Sequence, residues 1–192
     1  MFTVSPTALP GVLLVDVPIY RDDRGHFLEL WHRDKSTGPG LPERFVQDNV
    51  SWSRRGVLRG LHFQEPHAQG KLVSVLHGSI YDVAVDIRVG SPTFGRWVGV
   101  VLDAASGRQI YIPEGFAHGF VVTSDSALVL YKCTETYHPG AEASLLWSDP
   151  ELAIDWPVAA PVLSAKDGAA PGLVALRTAG RLPRYLSGVT GA

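Results

Sequence analysis

Seven histidines are spread over the 192 residues, and their neighbours decide which of them could move protons or bind metal. The segment Arg59-Gly60-Leu61-His62-Phe63-Gln64, followed by Gly70-Lys71, puts an imidazole and two cations on what read as adjacent strands. An imidazole titrates near neutral pH and can serve as general base or acid. A fixed cation beside it can stabilise negative charge developing on an oxygen. Parity is the obstacle: in a regular strand Arg59 shares a face with Val57, Leu61 and Phe63, whereas His62 shares one with Leu58. A bulge at Gly60 would reunite Arg59 and His62.

The segment Pro113-Glu114-Gly115-Phe116-Ala117-His118 has the form P-x-G-x-x-H. It resembles the second half of the metal site of cupins, which are small β-barrels of jelly-roll type. The first half of such a site supplies His-x-His and a Glu. Here His62-Phe63-Gln64 stands in its place, so an amide replaces the second imidazole and a His-rich Zn, Fe or Mn site lacks ligands. The expectation is a barrel kept and a metal lost.

The elements that must position these residues read as short strands. Gly (20) and Pro (14) punctuate brief apolar runs instead of clustering in one linker. Strands are expected at 12–17, 27–31, 45–53, 57–63, 71–77, 79–88, 94–102, 109–112, 119–122 and 127–133. Ten short strands in so little chain predict a sandwich or barrel. The clearest alternation sets Tyr81, Val83, Val85 and Ile87 on one face and Asp82, Ala84, Asp86 and Arg88 on the other. One face is expected to pack the core and the other to carry chemistry. Beyond Tyr137 the pattern changes: Ser148-Asp149-Pro150 signals a helix start, and Pro171 to Ala179, closed by Gly180, reads as a second short helix. The predicted organisation is one all-β domain over residues 1–192, with a core at about 10–137 and a C-terminal cover at about 138–192.

Composition narrows the partners. Apolar residues make up 45% and charged residues 19%, which fits a globular protein and excludes disordered and collagen-like classes. The longest stretch without charge runs from Met1 to Val15, interrupted by Pro6 and Pro10, and reads as neither membrane span nor signal peptide. Seventeen basic against nineteen acidic residues leave a net charge of −2, so no global field would attract nucleic acid or an anionic membrane. Any anionic partner must be held locally. Thirteen of the basic residues are Arg, whose planar forks suit phosphate and carboxylate, although a GC-rich genome would produce the same bias. Cys133 is alone, which excludes an internal disulfide and fits a reducing cytoplasm.

Further matches extend along the chain. They are Arg24-Gly25-x-Phe27-x-Glu29, Gln47-Asp48-Asn49, Arg59-Gly60-Leu61-His62-x-Gln64, Asp82 to Arg88 with Gly90-Ser91-Pro92-Thr93-Phe94-Gly95, Pro113-x-Gly115-Phe116-Ala117-His118-Gly119-Phe120, Tyr131-Lys132-Cys133-Thr134, and Asp149-Pro150 running to Trp156-Pro157. In this order and spacing the chain resembles the dTDP-4-dehydrorhamnose 3,5-epimerase family over about residues 10 to 185. The resemblance implies a cupin-like jelly roll (double-stranded β-helix) with short C-terminal helices. It also implies a homodimer with exchanged N-terminal strands, working without cofactor on a dTDP-4-keto-6-deoxyhexose.

What the resemblance implies for individual residues is specific. His62 takes the base position, and Asp167 pairs with it, orienting the ring and favouring the imidazolium. Lys71 faces the charge that develops on the C4 oxygen, and Tyr131 is the proton donor from the opposite face. Tyr137 is the rival donor or a sugar-stacking wall. Arg24, Phe27, Glu29, Gln47, Asn49, Arg59, His118, Glu142 and Lys166 fall to binding the nucleotide and sugar, some of them in the partner's site. The remaining histidines, 26, 32, 67, 77 and 138, read as surface or structural. The expected reaction is inversion of C3 and C5 of dTDP-4-dehydro-6-deoxy-D-glucose, toward dTDP-L-rhamnose. The alternatives are a single-centre epimerase of a secondary-metabolite sugar, a metal-dependent cupin oxygenase or isomerase, and a catalytically silent sugar-nucleotide binder.

Overall fold

A computed structural model describes residues 2–36 and 38–186. The chain runs through β1 (Thr3–Pro6), β2 (Leu13–Asp16), β3 (Ile19–Asp22), β4 (Gly25–Leu28), β5 (Gln47–Arg54), β6 (Leu58–Gln64) and β7 (Lys71–His77). It continues through β8 (Ser79–Asp86), β9 (Trp97–Asp103), β10 (Arg108–Ile112), β11 (Phe116–Val122), β12 (Ser126–Cys133) and β13 (Glu142–Ser144). Two short helices follow, α1 (Ala165–Gly168) and α2 (Leu173–Thr178). A six-stranded sheet has the order β1-β2-β10-β7-β12-β5, a five-stranded sheet the order β13-β6-β11-β8-β9, and β3-β4 form a separate hairpin. All named strand pairs are antiparallel. The two large sheets face each other as a jelly-roll barrel, which is the expected all-β, cupin-like class.

Three apolar clusters hold this arrangement. Inside the barrel, Val73, Val75, Ile110, Ile112 and Val129 of one sheet meet Ile80, Ala84, Leu102, Phe116, Phe120 and Val122 of the other. The outer face of the five-stranded sheet presents Leu58, Leu61, Phe63, Val83, Val85 and Val121, covered by Leu145, Leu152, Trp156, Leu173, Leu176 and Leu182. The outer face of the six-stranded sheet is covered at Val15, Leu72 and Tyr111 by Phe2, Leu28, Trp31, Leu41 and Phe45. Each buried Leu or Val contributes roughly 1.5–3 kcal/mol of transfer free energy.

β8 therefore packs both of its faces. Val83, Val85 and Ile87 meet the C-terminal cover, while Ala84 lies inside the barrel and Asp82 and Asp86 are fully buried. The face expected to carry chemistry is the barrel interior, not a solvent face. The other departures are local. Strands β1, β3 and β13 and helix α1 had no strong sequence signal. The expected strand at 27–31 is found at Gly25–Leu28, and that at 94–102 begins only at Trp97. Ser148-Asp149-Pro150 opens turns and no helix. Its cap signal serves a different element: Gly172, the N-cap of α2, has no side chain to offer, and the Asp149 carboxylate accepts the Leu173 N–H at 2.7 Å.

Candidate active site

The catalytic candidates converge inside the barrel because of a defect in β6. Against β11, His62 pairs with His118 but Arg59 pairs with Phe120, so three steps along β6 match two along β11. The extra residue lies at Gly60-Leu61 and places Arg59 and His62 on the interior face, while Leu58, Leu61 and Phe63 turn outward. Only glycine fits there. Gly60 has φ +129°, and a Cβ would stand 2.5 Å from the Gly119 Cα, in a backbone region closed to other residues.

His62 Nε2 lies 2.6 Å from Asp167 Oδ1. Asp167 is 3% exposed, and its backbone N–H is capped by the Ser164 hydroxyl at 3.1 Å, so α1 delivers the carboxylate in a fixed place. The pair keeps the ring proton on Nε2 and leaves Nδ1 as the basic nitrogen. Burial pushes the His62 imidazole below its ordinary value, against an upward pull from the Asp167 hydrogen bond and charge. The ring is thus held neutral, as a base requires, while its partner waits to stabilise the cation.

Lys71 opens β7 on the same interior face as Val73 and Val75. Burial pushes its ammonium downward, opposed by Cys133, Asp82 and Glu142 nearby. It forms no ion pair among the described residues, so its charge is uncommitted. Tyr131 stands on β12, paired with Asn49 of β5 and Val73 of β7, and packs its ring on the interior cluster. Burial raises its phenol, with Arg59 pulling the other way. A phenol so placed holds its proton until a stronger base is made.

The surroundings form a chain of polar contacts. Tyr137 donates its hydroxyl to Glu142 Oε2 at 2.9 Å, and the same oxygen accepts Lys166 Nζ at 2.5 Å. Burial alone would raise the Glu142 carboxyl, but Lys166 and Tyr137 outweigh it and hold it below its ordinary value. Gln47 donates to Asn49 Oδ1 at 3.0 Å, and Asn49 donates to Cys133 Sγ at 3.6 Å. Arg59 donates to Ser53 Oγ at 2.9 Å. His118 is tied to Asp82, 2.9 Å from Nε2 to Oδ2, with Asp82 fully buried.

Most sequence-derived candidates are therefore together: His62, Lys71, Tyr131, Asp167, Gln47, Asn49, Arg59, His118, Tyr137, Glu142 and Lys166. Arg24, Phe27 and Glu29 are not. They lie on or just beyond the β3-β4 hairpin, where the Arg24 side chain is 90% exposed and paired with Asp22, Glu29 is paired with Lys35, and Phe27 is 67% exposed. Asp82, Cys133 and Gln64 also line the interior face and were not singled out as site residues. The period-two pattern of β8 carried the signal for Asp82. A metal set does not assemble: Gln64 directs its amide to backbone groups, His62 is engaged by Asp167, and among the described residues no three His, Cys, Asp or Glu converge on one point.

The geometry asks for a substrate with an acidic C–H beside an oxygen that can take charge, and comparison with known proteins identifies the chemistry. The model of the dTDP-4-dehydrorhamnose 3,5-epimerase family matches residues 6–175. This chain belongs to that family. A dTDP-4-dehydrorhamnose 3,5-epimerase of Salmonella typhimurium is 52% identical over 174 residues, 89% of this chain and 95% of that one. The fold matches a dTDP-6-deoxy-D-glucose-3,5-epimerase of Legionella pneumophila, solved with dTDP-4-keto-L-rhamnose, at a TM-score of 0.92 and 50% identity, covering 97% of this chain and all of that one. A 4-keto-6-deoxy sugar epimerase from the novobiocin gene cluster of Streptomyces spheroides matches at a TM-score of 0.91 and 43% identity, covering 96% and 94%. As a member of the dTDP-4-dehydrorhamnose 3,5-epimerase family the protein is an isomerase.

Proposed function

We propose that this epimerase inverts C3 and C5 of dTDP-4-dehydro-6-deoxy-D-glucose to give dTDP-4-dehydro-L-rhamnose. The observation that carries the reading is the buried His62–Asp167 pair at 2.6 Å facing an uncommitted Lys71 across the barrel interior. His62 removes the proton beside the C4 ketone, and its Nε2–H stays on Asp167. The electron pair moves onto the C4 oxygen, where the Lys71 charge meets the developing enolate, an interaction stronger in the transition state than with the ground-state ketone. Tyr131 returns a proton to the opposite face of the same carbon. Once His62 has released its proton to solvent and Tyr131 has regained one from it, the same sequence at the other centre, C3 or C5, completes the reaction. Inversion at both centres is favoured over one by the greater identity to the Salmonella and Legionella 3,5-epimerases, 52% and 50%, than to a 3'-monoepimerase of Streptomyces bikiniensis, 37%.

Incubation with dTDP-4-dehydro-6-deoxy-D-glucose in D2O, followed by NMR, tests this directly. Deuterium at both C3 and C5 is expected. Label at one carbon alone would select a single-centre epimerase, and label at neither would remove the epimerase reading.

The same reading includes a homodimer of cytoplasmic location with exchanged N-terminal strands, the β3-β4 hairpin among them. Its support is twofold. The outer face of the six-stranded sheet leaves Val50, Trp52 and Leu76 at 59, 63 and 40% exposure beside Leu128 and Leu130, an apolar patch at an edge strand that a second copy would cover. Arg24, Phe27 and Glu29 also project from the hairpin without joining their own interior site. Mixing Arg24→Ala with His62→Ala protein should then restore a fraction of activity through hybrid dimers. A monomer by light scattering, or no rescue after verified subunit exchange, would count against the exchange of hairpins.

A further inference from the structure

Gln64 stands on the interior face two residues beyond His62 and is only 5% exposed. Its amide is fully engaged. Nε2 donates to the carbonyls of His67 at 2.7 Å and Thr136 at 3.2 Å, and Oε1 accepts the His138 N–H at 2.8 Å. Every partner is backbone, and the three bonds tie the loop after β6 to the loop joining β12 to β13. A second amide works beside it: Gln47 Oε1 accepts the Tyr137 N–H at 2.8 Å. Thr136, Tyr137 and His138 are thus each held by a main-chain atom, and the His67 and His138 rings stack across the same joint at 4.1 Å.

The residue at the centre of this clamp is Tyr137, whose ring is 49% exposed and so is not fixed by packing. Its hydroxyl nevertheless meets Glu142, which pairs with Gln64 across β13 and β6. What fixes the ring is the pinned backbone under it. We propose that Gln64 is a positioning residue which, through the Thr136 and His138 backbone, holds Tyr137 as a rigid wall of the sugar site. This inference rests on the epimerase reading for its kinetic consequence, not for the clamp itself. Only an amide serves: a carboxylate could accept from His138 but would face two carbonyl oxygens with no proton to offer, and an apolar side chain would leave all three backbone groups without their bonds to residue 64.

The test is a double-mutant cycle of Gln64→Glu with Tyr137→Ala. Misplacing a wall by about 1 Å can cost on the order of 10²-fold in rate, so Gln64→Glu should fold, keep its affinity for dTDP within about twofold, and lose between about 10- and 100-fold in kcat. In the Tyr137→Ala background the same change should cost no more than about twofold, because residues acting through one another are not additive. Equal loss in both backgrounds, or an unchanged kcat, would overturn the proposal. Hydrogen exchange at the Tyr137 and His138 amides reads the clamp without catalysis, and both should lose protection in Gln64→Met, whose side chain can neither accept from His138 nor donate to the His67 and Thr136 carbonyls. Unchanged protection would overturn it even if the wild-type protein showed no epimerase activity, which would instead remove the functional reading. Should Gln64→Glu not fold, the near-isosteric Gln64→Met enters the same cycle, and failure of both to fold would mark Gln64 as scaffold and end the proposal.

Discussion

Tyr131→Phe is expected to keep exchanging substrate hydrogen with solvent while product formation collapses, whereas His62→Ala loses both. Removing a positioned acid or base typically costs about 10²- to 10⁴-fold, so both variants should be slow, but they should be slow in different ways. Without His62 no proton leaves, and neither epimer nor deuterium incorporation should rise above background. Without the Tyr131 hydroxyl, His62 can still abstract a proton, exchange it and return it to its own face, which labels recovered substrate and preserves configuration. NMR of substrate recovered from D2O distinguishes the two. The raised phenol of Tyr131, packed on the interior cluster, suits a donor that releases its proton only to a carbanion-like centre. Equal loss of exchange and product in Tyr131→Phe would remove it from the donor role and transfer that role to Tyr137, whose hydroxyl is otherwise held by Glu142.

Asp167→Asn should lower kcat by about 10²- to 10⁴-fold, the scale on which an imidazole left without its carboxylate partner loses activity, and should also move the pH profile. Activity requires neutral His62, so the acid limb of kcat/KM follows its pKa. Burial already pushes that pKa below the ordinary value near 6.5, and Asp167 opposes the push. Removing the carboxylate leaves burial less opposed, so the acid limb should shift further toward low pH even as the plateau falls. A limb that moves upward would mean that Asp167 does not act on the base.

Much of this was legible because alternation works wherever a strand has two distinct faces. β5 to β12 fall close to their expected ranges except that β11 begins at Phe116 and not at 119, which brings His118 into the strand; Lys71 and Tyr131 land on the interior by parity alone. Where parity failed, at Arg59 and His62, Gly60 marked the place, since a glycine within a strand pattern points to a bulge or a close approach. Alternation said less about which face met water. β8 looks amphipathic, but its polar face is enclosed and Asp82 is matched to His118. Strand β3 of the β3-β4 hairpin escaped notice because Tyr20, Arg21 and Asp22 are all exposed, so no buried face imposes a period. Asp167 stands beside Gly168 with no apolar period around it to suggest an element, yet Ser164-Ala165-Lys166-Asp167 is a helix-start spacing. In it the Ser half caps as expected, while the acidic half turns to His62 instead of back to the helix.

The place of Asp167 in the chain links catalysis to the order in which the protein is made. All strands among the described residues are complete by Ser144, but the carboxylate that serves His62 arrives only with α1, from the same C-terminal segment that covers Leu58, Leu61, Val83 and Val85. A nascent or truncated chain ending before residue 160 would have every strand and its base, but an uncovered greasy outer face and no partner for His62. The segment that follows the strands both seals the molecule and arms it, so turnover requires that this segment has been made and has folded onto the barrel.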